Sequence, residues 1–514
     1  MSAIDPILLA VLNGRLVQIA DEMDATLYRS AFNPIIAEAH DACHGLYHAK
    51  TGATLVQGAT GLPIFVGAMA FAVKAVIDKA NKDGDLKPGD TYLFNDPYDG
   101  GTHLNDVTLV APCLVEGELI GWVANRAHHA DVGGMVPGSI PPEATEAAQE
   151  GLRLPPVRFS ADVAAILCAN SRTPVERAGD LDAQLGANRV GVARLAALAG
   201  APLGEVVDYG ERRMRQALAA MPDGSWSFED VLDEGRRITV LVTKDGDAIS
   251  FDFTGTDPQG PGNVNAVEAV TVSAVAWALR SCTDPSIPAN GGTFRPVTVV
   301  APPGSVVAAR WPAAVGAGNV EVSQRVADVC LGALAQAVPE RVPAAGQGTM
   351  NNLMIGGRGW VYYETAGGGQ GGRPAGPGRA ARAGMSGVHT AMTNTQNTPV
   401  EALERAYPMR VLRYELRRGS GGAGLAPGGE GIWRDLQVLE DCTLSLVTER
   451  RVFHPWGLAG GEAGSTGENW LVPQGDESRA ERLPGTCTRQ LRAGDVLRQL
   501  TPGGGGWGLT QPAW

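Results

Sequence analysis

The sequence has no apolar run of about 18 residues, the length that a membrane-spanning helix requires. It is also short of positive charge: 42 Lys and Arg face 55 Asp and Glu, and the formal net charge of −13 argues against a nucleic-acid partner. The first residues, MSAIDPILLAVLNGRL, contain neither a basic region nor a small-residue cleavage site, so no signal peptide is evident. We therefore expect a cytoplasmic protein that binds neither a membrane nor a nucleic acid.

Two kinds of common motif are missing as well. The seven cysteines are widely spaced and include no CxxC pair, which predicts reduced thiols rather than a disulfide framework or a zinc knuckle. The sequence contains no GxxxxGK[ST], and no GxGxxG stands between a predicted strand and a predicted helix. The chain itself is therefore not expected to bind a nucleotide in either standard way.

Glycine and proline, by contrast, are abundant. The 514 residues include 68 Gly and 34 Pro, which predicts many tight turns and backbone-lined loops. A chain of this length exceeds what one core supports, so we expect several domains. The predicted division is an N-terminal metal-site domain with a helical segment (1–221), an α/β middle domain (222–345) and a Gly-rich, β-rich C-terminal domain (346–514).

Hydrophobic periodicity predicts the secondary structure. Helical spacing of apolar residues predicts helices over about 7–31, 67–79, 162–170, 173–198, 205–221, 266–280 and 323–337. Alternating or short apolar runs predict strands over 91–95, 238–242, 248–253 and 297–300, and β-structure with Gly-rich turns over 410–514. The predicted fold class is α+β and multi-domain, with mixed or antiparallel sheets and packed helices.

The most informative stretch is a predicted β-hairpin. Two apolar runs, 107–115 and 119–127, are separated only by Glu116-Gly117-Glu118, which predicts a hairpin with a three-residue loop. If the loop is centred on its glycine, Asp106 lies opposite His128. Directly opposed residues have Cβ atoms about 4.5–5.5 Å apart, which is close enough for both side chains to bind one ion.

A third candidate ligand precedes this pair. His103 lies three residues before Asp106, after a Gly-rich turn that can fold it over the same end of the hairpin. Two imidazoles and one carboxylate without a thiolate favour Mn²⁺, Fe²⁺ or Zn²⁺ in a site with open positions. The alternative is a polar hairpin end with hydrogen-bonded histidines, but the convergence of three such residues favours the metal site.

Several neighbouring residues are further candidates. His129 is expected on the other face of the sheet as a structural residue, whereas Asp131 is expected to orient His128 through its free ring nitrogen. Asp41, in the polar segment after the first helix, is a candidate additional metal ligand. The histidines of that segment that we expect at the surface are His40, His44 and His48.

A second concentration of polar residues spans 345–400. Glu364 and His389 are candidate acid–base groups there, with a hydrogen-bonded structural role as an equal alternative for each. The Gly-rich loops of this region are expected to expose backbone N–H groups to an anion.

Taken together, these segments resemble the hydantoinase B family over nearly the whole chain. The motifs that carry the resemblance are DPILLAVLNGRL, NDPYDGGTHLNDVTLVAP, NRAHHADVGGMVPGS, EGLRLPP, GTMNNL, YYETAGGGQGG, MTNTQNTPVE, SGGAG and TPGGGGWG. The resemblance assigns the family's metal ligands to His103, Asp106 and His128, and its additional acidic position to Asp41. Two positions depart from the family pattern and bear on the substrate: Phe65 stands where a histidine is common, and Pro427 where an arginine is usual.

The resemblance also implies an activity and a partner. It implies the B-type subunit of an ATP-dependent hydrolase that opens a hydantoin, 5-oxoproline or lactam ring after an A-type ATPase subunit, which binds the ATP, has phosphorylated the substrate. In this interpretation a metal-bound water attacks the activated carbon, with Asp41 or Asp131 as base, in a hetero-oligomer. The rivals are a subunit of a ketone carboxylase of the acetone or acetophenone type, and a non-enzymatic scaffold for the ATPase.

Overall fold

The computed structural model describes residues 5–376 and 379–510. Its α-helices lie close to the predicted spans, with two short additional ones, α2 and α9. The helices are α1 (Pro6–Ser30), α2 (Pro34–Ala37), α3 (Phe65–Asp83), α4 (Ala161–Asn170), α5 (Pro174–Ala196), α6 (Gly204–Ala219), α7 (Glu268–Ser281), α8 (Ser323–Ala337) and α9 (Val400–Ala406). A π-helical turn, Gly318–Val322, leads directly into α8.

The strands form four sheets. They are β1 (Ala42–His48), β2 (Thr54–Gln57), β3 (Tyr92–Phe94), β4 (Asp106–Val115), β5 (Glu118–His128), β6 (Val157–Arg158), β7 (Gly224–Val231), β8 (Arg237–Asp245), β9 (Ala248–Asp252), β10 (Val297–Val300), β11 (Asn352–Gly357), β12 (Trp360–Glu364), β13 (Met409–Arg417), β14 (Gly431–Val438), β15 (Cys442–Val447), β16 (Glu468–Val472), β17 (Glu481–Leu483), β18 (Thr486–Leu491) and β19 (Val496–Leu500). Their orders are β2-β1-β5-β4-β3-β6, β10-β9-β8-β7, β12-β11-β15-β18 and β13-β14-β19-β16-β17. The pairings are antiparallel except for β9 with β10, which is parallel, so the predicted α+β class with mixed and antiparallel sheets is confirmed.

The long N-terminal helix illustrates why the helices begin where they do. The Asp5 side chain accepts a hydrogen bond from the N–H of Ile7 at 3.0 Å, and Pro6 occupies the first turn, where its missing N–H costs nothing. The buried residues of α1 are Leu12, Leu16, Ile19, Ala20, Met23, Asp24 and Leu27, which follow helical spacing. This face packs against α5 and the first sheet, within a large core that also includes side chains of the predicted middle domain.

The hairpin of β4 and β5 has the predicted register but not the predicted loop. Asp106 pairs with His128, as expected. The loop contains two residues, Glu116 and Gly117, both with positive φ, which is the conformation of a type I′ turn. An irregularity between Cys113 and Leu114 shifts the register by one residue and restores the pairing that a three-residue loop would give.

The Gly-rich segments of the C-terminal region are not the turns that we predicted. Segments 367–372, 420–431, 457–464 and 503–506 run beside one another and are joined by backbone hydrogen bonds, including Gly372 N–H to Gly505 O and Gly429 N–H to Gln370 O, both 2.8 Å. We call these four segments the glycine bundle. Many of their N–H groups are therefore already bonded to protein carbonyls, which corrects the expectation that they are free to bind an anion.

The close approach explains the composition. A Cβ placed on Gly371 would lie 1.8 Å from the carbonyl oxygen of Ala344, and one on Gly428 would lie 1.9 Å from that of Gly504. No side chain fits between backbones at this distance.

Among the described residues, no helix is both long and apolar enough to cross a membrane.

Candidate metal centre

The candidate centre lies at the open end of the hairpin. Asp106 begins β4, His128 ends β5, and His103 follows the Gly-rich turn immediately before β4. All three side chains are buried, and one potential ligand atom from each lies within 4.8 Å of the others. The structure thus brings together the three residues that were predicted to share one ion.

Hydrogen bonds determine which nitrogen of His103 is available. Its Nδ1 lies 3.1 Å from the carbonyl oxygen of Gly316, and a carbonyl can only accept, so Nδ1 carries a proton. The other nitrogen, Nε2, lies 3.1 Å from Oδ1 of Asp106 and 3.1 Å from the amide nitrogen of Asn319. A backbone carbonyl that fixes the outer ring nitrogen in this way is the usual support of a metal-binding histidine.

The remaining polar atoms fit a cation. Oδ2 of Asp106 accepts from Thr102 and Asn319, whereas Oδ1 of Asp106 and Nε2 of His128 are buried and have no hydrogen-bond partner among the described residues. Nε2 of His103 and Nδ1 of His128 lie 3.1 Å and 3.5 Å from Oδ1 of Asp106. An unprotonated ring nitrogen and a carboxylate oxygen repel each other at such distances unless a proton or a cation lies between them. A divalent metal held by His103, Asp106 and His128 satisfies these atoms, and the donor set suits Mn²⁺, Fe²⁺ or Zn²⁺.

The electrostatics keep the acceptors in their metal-binding forms. Burial by itself would raise the pKa of the Asp106 carboxyl, but His103 and His128 together lower it below its ordinary value. Burial lowers the pKa of His128 to about 4, and the charge of His103 contributes in the same direction. At neutral pH the centre therefore contains a carboxylate and a neutral His128 imidazole.

A small cavity borders this cluster. Its volume is about 10 Å³, which holds roughly one water molecule, so a larger ligand requires the lining residues to move. Phe65, one of the two departures from the family pattern, is part of the apolar lining, so this position does face the site. The second departure, Pro427, lies in the glycine bundle, where its carbonyl accepts from Gly384.

Asp41 lines the same cavity as His128. Its backbone carbonyl accepts from the His128 N–H at 2.9 Å, which ties the start of β1 to the end of β5. Burial raises the pKa of the Asp41 carboxyl well above its ordinary value, and the charge of Asp106 raises it further. The group whose ligand atoms lie within 4.8 Å consists of the other three residues, so Asp41 as a ligand remains a prediction.

Asp131 lies elsewhere, which corrects its predicted contact with His128. Its carboxylate accepts from the N–H groups of Gly133, Gly138 and Arg172 and from the Arg172 guanidinium at 2.9 Å. Asp131 therefore stabilises the loop that follows the hairpin. His129 is fully buried, as a structural residue, with Nε2 2.9 Å from Oε1 of Gln184 in α5.

The three histidines near Asp41 were expected at the surface. This is wrong for His44, which is fully buried in β1 and paired with Asp24 of α1. His40 is partly buried and stacks on Tyr28 with 4.0 Å between ring centroids. His48 is also partly buried. The apolar alternation around His44 was too short to reveal that α1 covers this strand.

The candidate acid–base residues Glu364 and His389 lie outside the metal cluster. Glu364 is buried, with one oxygen accepting from Arg434 and Tyr362 and the other from the Thr398 N–H at 2.6 Å. His389 is bonded to Asn397 through Nε2 at 3.1 Å, and burial lowers the pKa of its imidazole. These contacts favour the structural alternative for Glu364, whereas acid–base roles for both residues remain predictions.

A stability measurement tests the role of Glu364. Arg434→Met removes the cation beside a carboxylate that is 1% exposed, so we expect the free energy of unfolding to fall by about 3–5 kcal/mol. Arg434→Met combined with Glu364→Gln removes the unpaired charge, and we expect it to recover much of the loss. Urea denaturation of the three proteins measures both effects. A single variant as stable as the wild type would contradict this account.

Sequence reasoning missed the residues that support the centre from afar. Glu150 accepts hydrogen bonds from the N–H groups of Val315 at 3.0 Å and Gly316 at 2.7 Å, and so positions the carbonyl that receives His103. Asn319 reaches both His103 and Asp106 from the π-helical turn, and the Tyr363 ring stacks on His128 at 4.1 Å. Glu150 and Tyr363 belonged to segments that we had singled out, EGLRLPP and YYETAGGGQGG, but neither residue had been given a role.

Comparison with known proteins gives a consistent family assignment. The profile of the family described as hydantoinase B/oxoprolinase matches residues 5–510. An uncharacterized protein of Methanocaldococcus jannaschii is 38% identical over 98% of this chain and 91% of its own length. 5-oxoprolinase 1 of Arabidopsis thaliana is 36% identical over 98% of this chain, which spans 42% of that relative's length.

Solved structures show the same fold. The ATP-dependent caprolactamase from Pseudomonas jessenii superposes with a TM-score of 0.88 and 29% identity, over 98% of this chain and 91% of that one. An acetone carboxylase structure superposes with a TM-score of 0.87 and 20% identity, over 98% of this chain and 76% of that one. Because the family profile covers the described fold from its first helix to its last strand, this chain belongs to the hydantoinase B/oxoprolinase family.

Proposed function

We propose that this chain is the B-type subunit of an ATP-dependent hydrolase that opens a cyclic amide, such as a hydantoin, 5-oxoproline or a lactam. The observation that carries the proposal is the convergence of His103, Asp106 and His128 in a buried cluster, next to a cavity that His128 and Asp41 line. A divalent metal bound there supplies Lewis acidity, which polarises a carbonyl and lowers the pKa of a water molecule. The similarity to 5-oxoprolinase and to caprolactamase supports a cyclic amide as the substrate class.

The surrounding residues have separate tasks in this proposal. Asn319 donates hydrogen bonds that fix the His103 ring and the Asp106 carboxylate relative to each other. The apolar lining, which includes Leu62, Phe65 and Met350, excludes bulk water and thereby strengthens the electrostatic interactions inside. Asp41 is the carboxyl group placed to exchange a proton with the water or with the ring nitrogen, because it faces the same cavity.

The activation step is assigned to a partner. An unstrained amide is a poor electrophile, and phosphorylation of its oxygen makes its carbon imidate-like and more electrophilic. Water adds to this carbon, the C–N bond breaks with protonation of the nitrogen, and hydrolysis of the resulting acyl phosphate releases phosphate and the open-chain acid. The sequence of this chain contains neither standard nucleotide motif, so we assign ATP binding to an A-type ATPase subunit. The chain alone is expected to turn over no unactivated lactam, and a metal-dependent lactamase activity of the isolated chain would contradict this assignment.

Asp41→Asn separates two roles for this residue. Because we assign proton transfer to Asp41, Asp41→Asn should lower ring-dependent ATP turnover on the order of 100-fold and leave the metal content unchanged. Activity and metal analysis on the complex with the A-type partner measure both quantities. Asp78→Asn, on the exposed side of α3, is the matched control and should behave as wild type. Loss of the metal in Asp41→Asn would make it a ligand instead.

The proposed function is tested on the complex as a whole. The chain is purified with its A-type partner, and ATP hydrolysis is followed against hydantoins, 5-oxoproline, lactams, and ketones with bicarbonate. We expect turnover that depends on a ring compound and releases an open-chain acid. ATP turnover with none of the ring compounds would overturn the proposal, and a preparation free of metal would favour a scaffold role.

The alternative is a subunit of a ketone carboxylase of the acetone or acetophenone type. The observation that favours it is the fold shared with an acetone carboxylase over 98% of this chain. In that case the panel would give ATP turnover only with a ketone and bicarbonate together, and the product would be a β-keto acid.

A further inference from the structure

A second cavity, far larger than the one at the metal centre, has no role in the proposed function. Its volume is about 700 Å³, within the range of small-molecule sites. It lies between the C-terminal end of α7, the first half of α8, and loops of the 340–391 region. Trp277 contributes an aromatic wall, and Gly346, Gly348 and Gly371 contribute lining without side chains.

The lining of this cavity is positively charged in an otherwise acidic chain. Its arginines are Arg280, Arg341, Arg373, Arg379 and Arg382. The three carboxylates of the lining are all paired: Asp284 with Arg213, Asp328 with Arg450, and Glu340 with Arg341. The other four arginines form no ion pair with a carboxylate in the part of the chain that the structure describes. The cavity therefore has positive charge that no carboxylate neutralises, although the chain carries −13 overall.

Unsatisfied polar atoms also face this region. Gln324 is fully buried and lines the cavity, with its Nε2 donating to the Thr390 carbonyl at 3.1 Å. Its Oε1 is left without a partner in the described part of the chain, as are Nε of Arg373 and Oγ1 of Thr390. Buried atoms of this kind cost free energy unless a ligand or water satisfies them.

The same two chain segments separate the large cavity from the metal centre. Asn319 and Val320 line the small cavity at His128, and Gln324, about one helical turn further along, lines the large one. In the same way Thr393 lines the small cavity and Thr390 the large one. A ligand in the large cavity is thus separated from the metal centre by one helical segment and one loop.

We infer that the large cavity is a binding site for a small molecule that bears a phosphate group, with arginines around the phosphate and Gln324 accepting from a donor on the same ligand. Guanidinium groups match phosphate oxygens in geometry and charge, and several of them together favour a dianion over a single carboxylate. The phosphate comes either from a phosphorylated amide or from the inorganic phosphate that its hydrolysis releases. This assignment of the source rests on the proposed function, whereas the binding of phosphate does not.

Calorimetric titration of the full chain with inorganic phosphate, methyl phosphate and acetate tests the inference. We expect saturable binding of phosphate or methyl phosphate and much weaker binding of acetate. Arg373→Gln combined with Arg382→Gln should weaken phosphate binding by at least about tenfold. The backbones of these two residues pair with each other, so the substitutions leave that pairing in place. Arg212→Gln, at an exposed position of α6 outside the cavity, is the matched control.

Each outcome is decisive. Tighter binding of methyl phosphate than of phosphate assigns the site to an organic phosphate, and the reverse assigns it to the released product. Equal phosphate binding by the double variant and Arg212→Gln, or no saturable binding by wild type, overturns the inference. If the double variant does not fold, protection of Arg373 and Arg382 from phenylglyoxal by phosphate in wild type replaces the comparison, and absence of protection overturns it.

A further arm separates this inference from the proposed function. His103→Ala, which lacks a metal ligand, should bind phosphate as wild type does. If the substrate panel gives no ring-dependent turnover while phosphate still binds, the proposed function fails and the phosphate site stands.

Discussion

His103→Ala is expected to leave the chain folded while removing the bound metal and the ring-dependent ATP turnover of the complex. Nε2 of His103 lies 3.1 Å from Oδ1 of Asp106, and among the described residues the cluster consists of His103, Asp106 and His128, so the variant retains two of its three ligands. A Lewis acid contributes several kcal/mol to such a reaction, so the loss of turnover should be on the order of a thousandfold. Metal analysis of purified protein and turnover with the A-type partner measure the two effects.

A second histidine variant makes this result specific. His48 lies at the end of β1 and is partly buried, and its ring Nδ1 lies 3.1 Å from Oγ1 of Thr51. His48→Gln should retain both metal and turnover. Full metal content in His103→Ala would show that the metal binds elsewhere in the chain.

Gly371→Ala is expected to abolish soluble expression or to lower the free energy of unfolding by at least about 4 kcal/mol. The added Cβ would lie 1.8 Å from the carbonyl oxygen of Ala344 and 2.4 Å from its carbon. Both contacts are with backbone, so relief requires segment 367–372 of the glycine bundle to move away from the backbone at Ala344 and to lose hydrogen bonds such as that from the Ala344 N–H to the Gly372 carbonyl. Expression level and thermal unfolding measure the effect.

Gly14→Ala is the matched control, because Gly14 lies in the exposed face of α1 and an added methyl group there would have no neighbouring atom within 4 Å. At this position the same substitution should stabilise the protein by about 0.5–1 kcal/mol, since alanine favours a helix interior. If the two variants had similar stabilities, close packing would not be the reason for the glycines.

The metal cluster was predictable because its geometry is local. Asp106 and His128 are brought together by one hairpin, and the pairing of an antiparallel hairpin follows from where its turn is centred. The irregularity at Cys113 compensated for the misjudged loop, so the same two residues still met. His103 needed only a short turn to join them.

The support of the cluster was not predictable in this way. Glu150, Gly316 and Asn319 reach it from segments that are close to His103 only after the chain has folded, and no spacing in the sequence links them to the hairpin. The error at His44 has the same origin, because its partner Asp24 belongs to a different element. Local pattern identifies ligands; the residues that orient them depend on tertiary contacts.

The glycine bundle was misread for a different reason. Gly-rich sequence usually indicates turns, and composition does not distinguish a chain that bends from one that lies flat against another segment. The distinction is physical: at positions such as Gly428, glycine is required because a neighbouring carbonyl lies too close for a side chain.

This packing also limits which second mutations can rescue a defect in the region. In an ordinary core, an oversized residue is often accommodated when a neighbouring side chain is replaced by a smaller one. Around Gly371 the colliding atoms belong to the Ala344 and Ala345 backbone, which no substitution can shrink. A second mutation that suppresses a glycine substitution there would have to shift a whole segment of backbone. We therefore expect that few substitutions around Gly371 can be rescued by a change at a single second position.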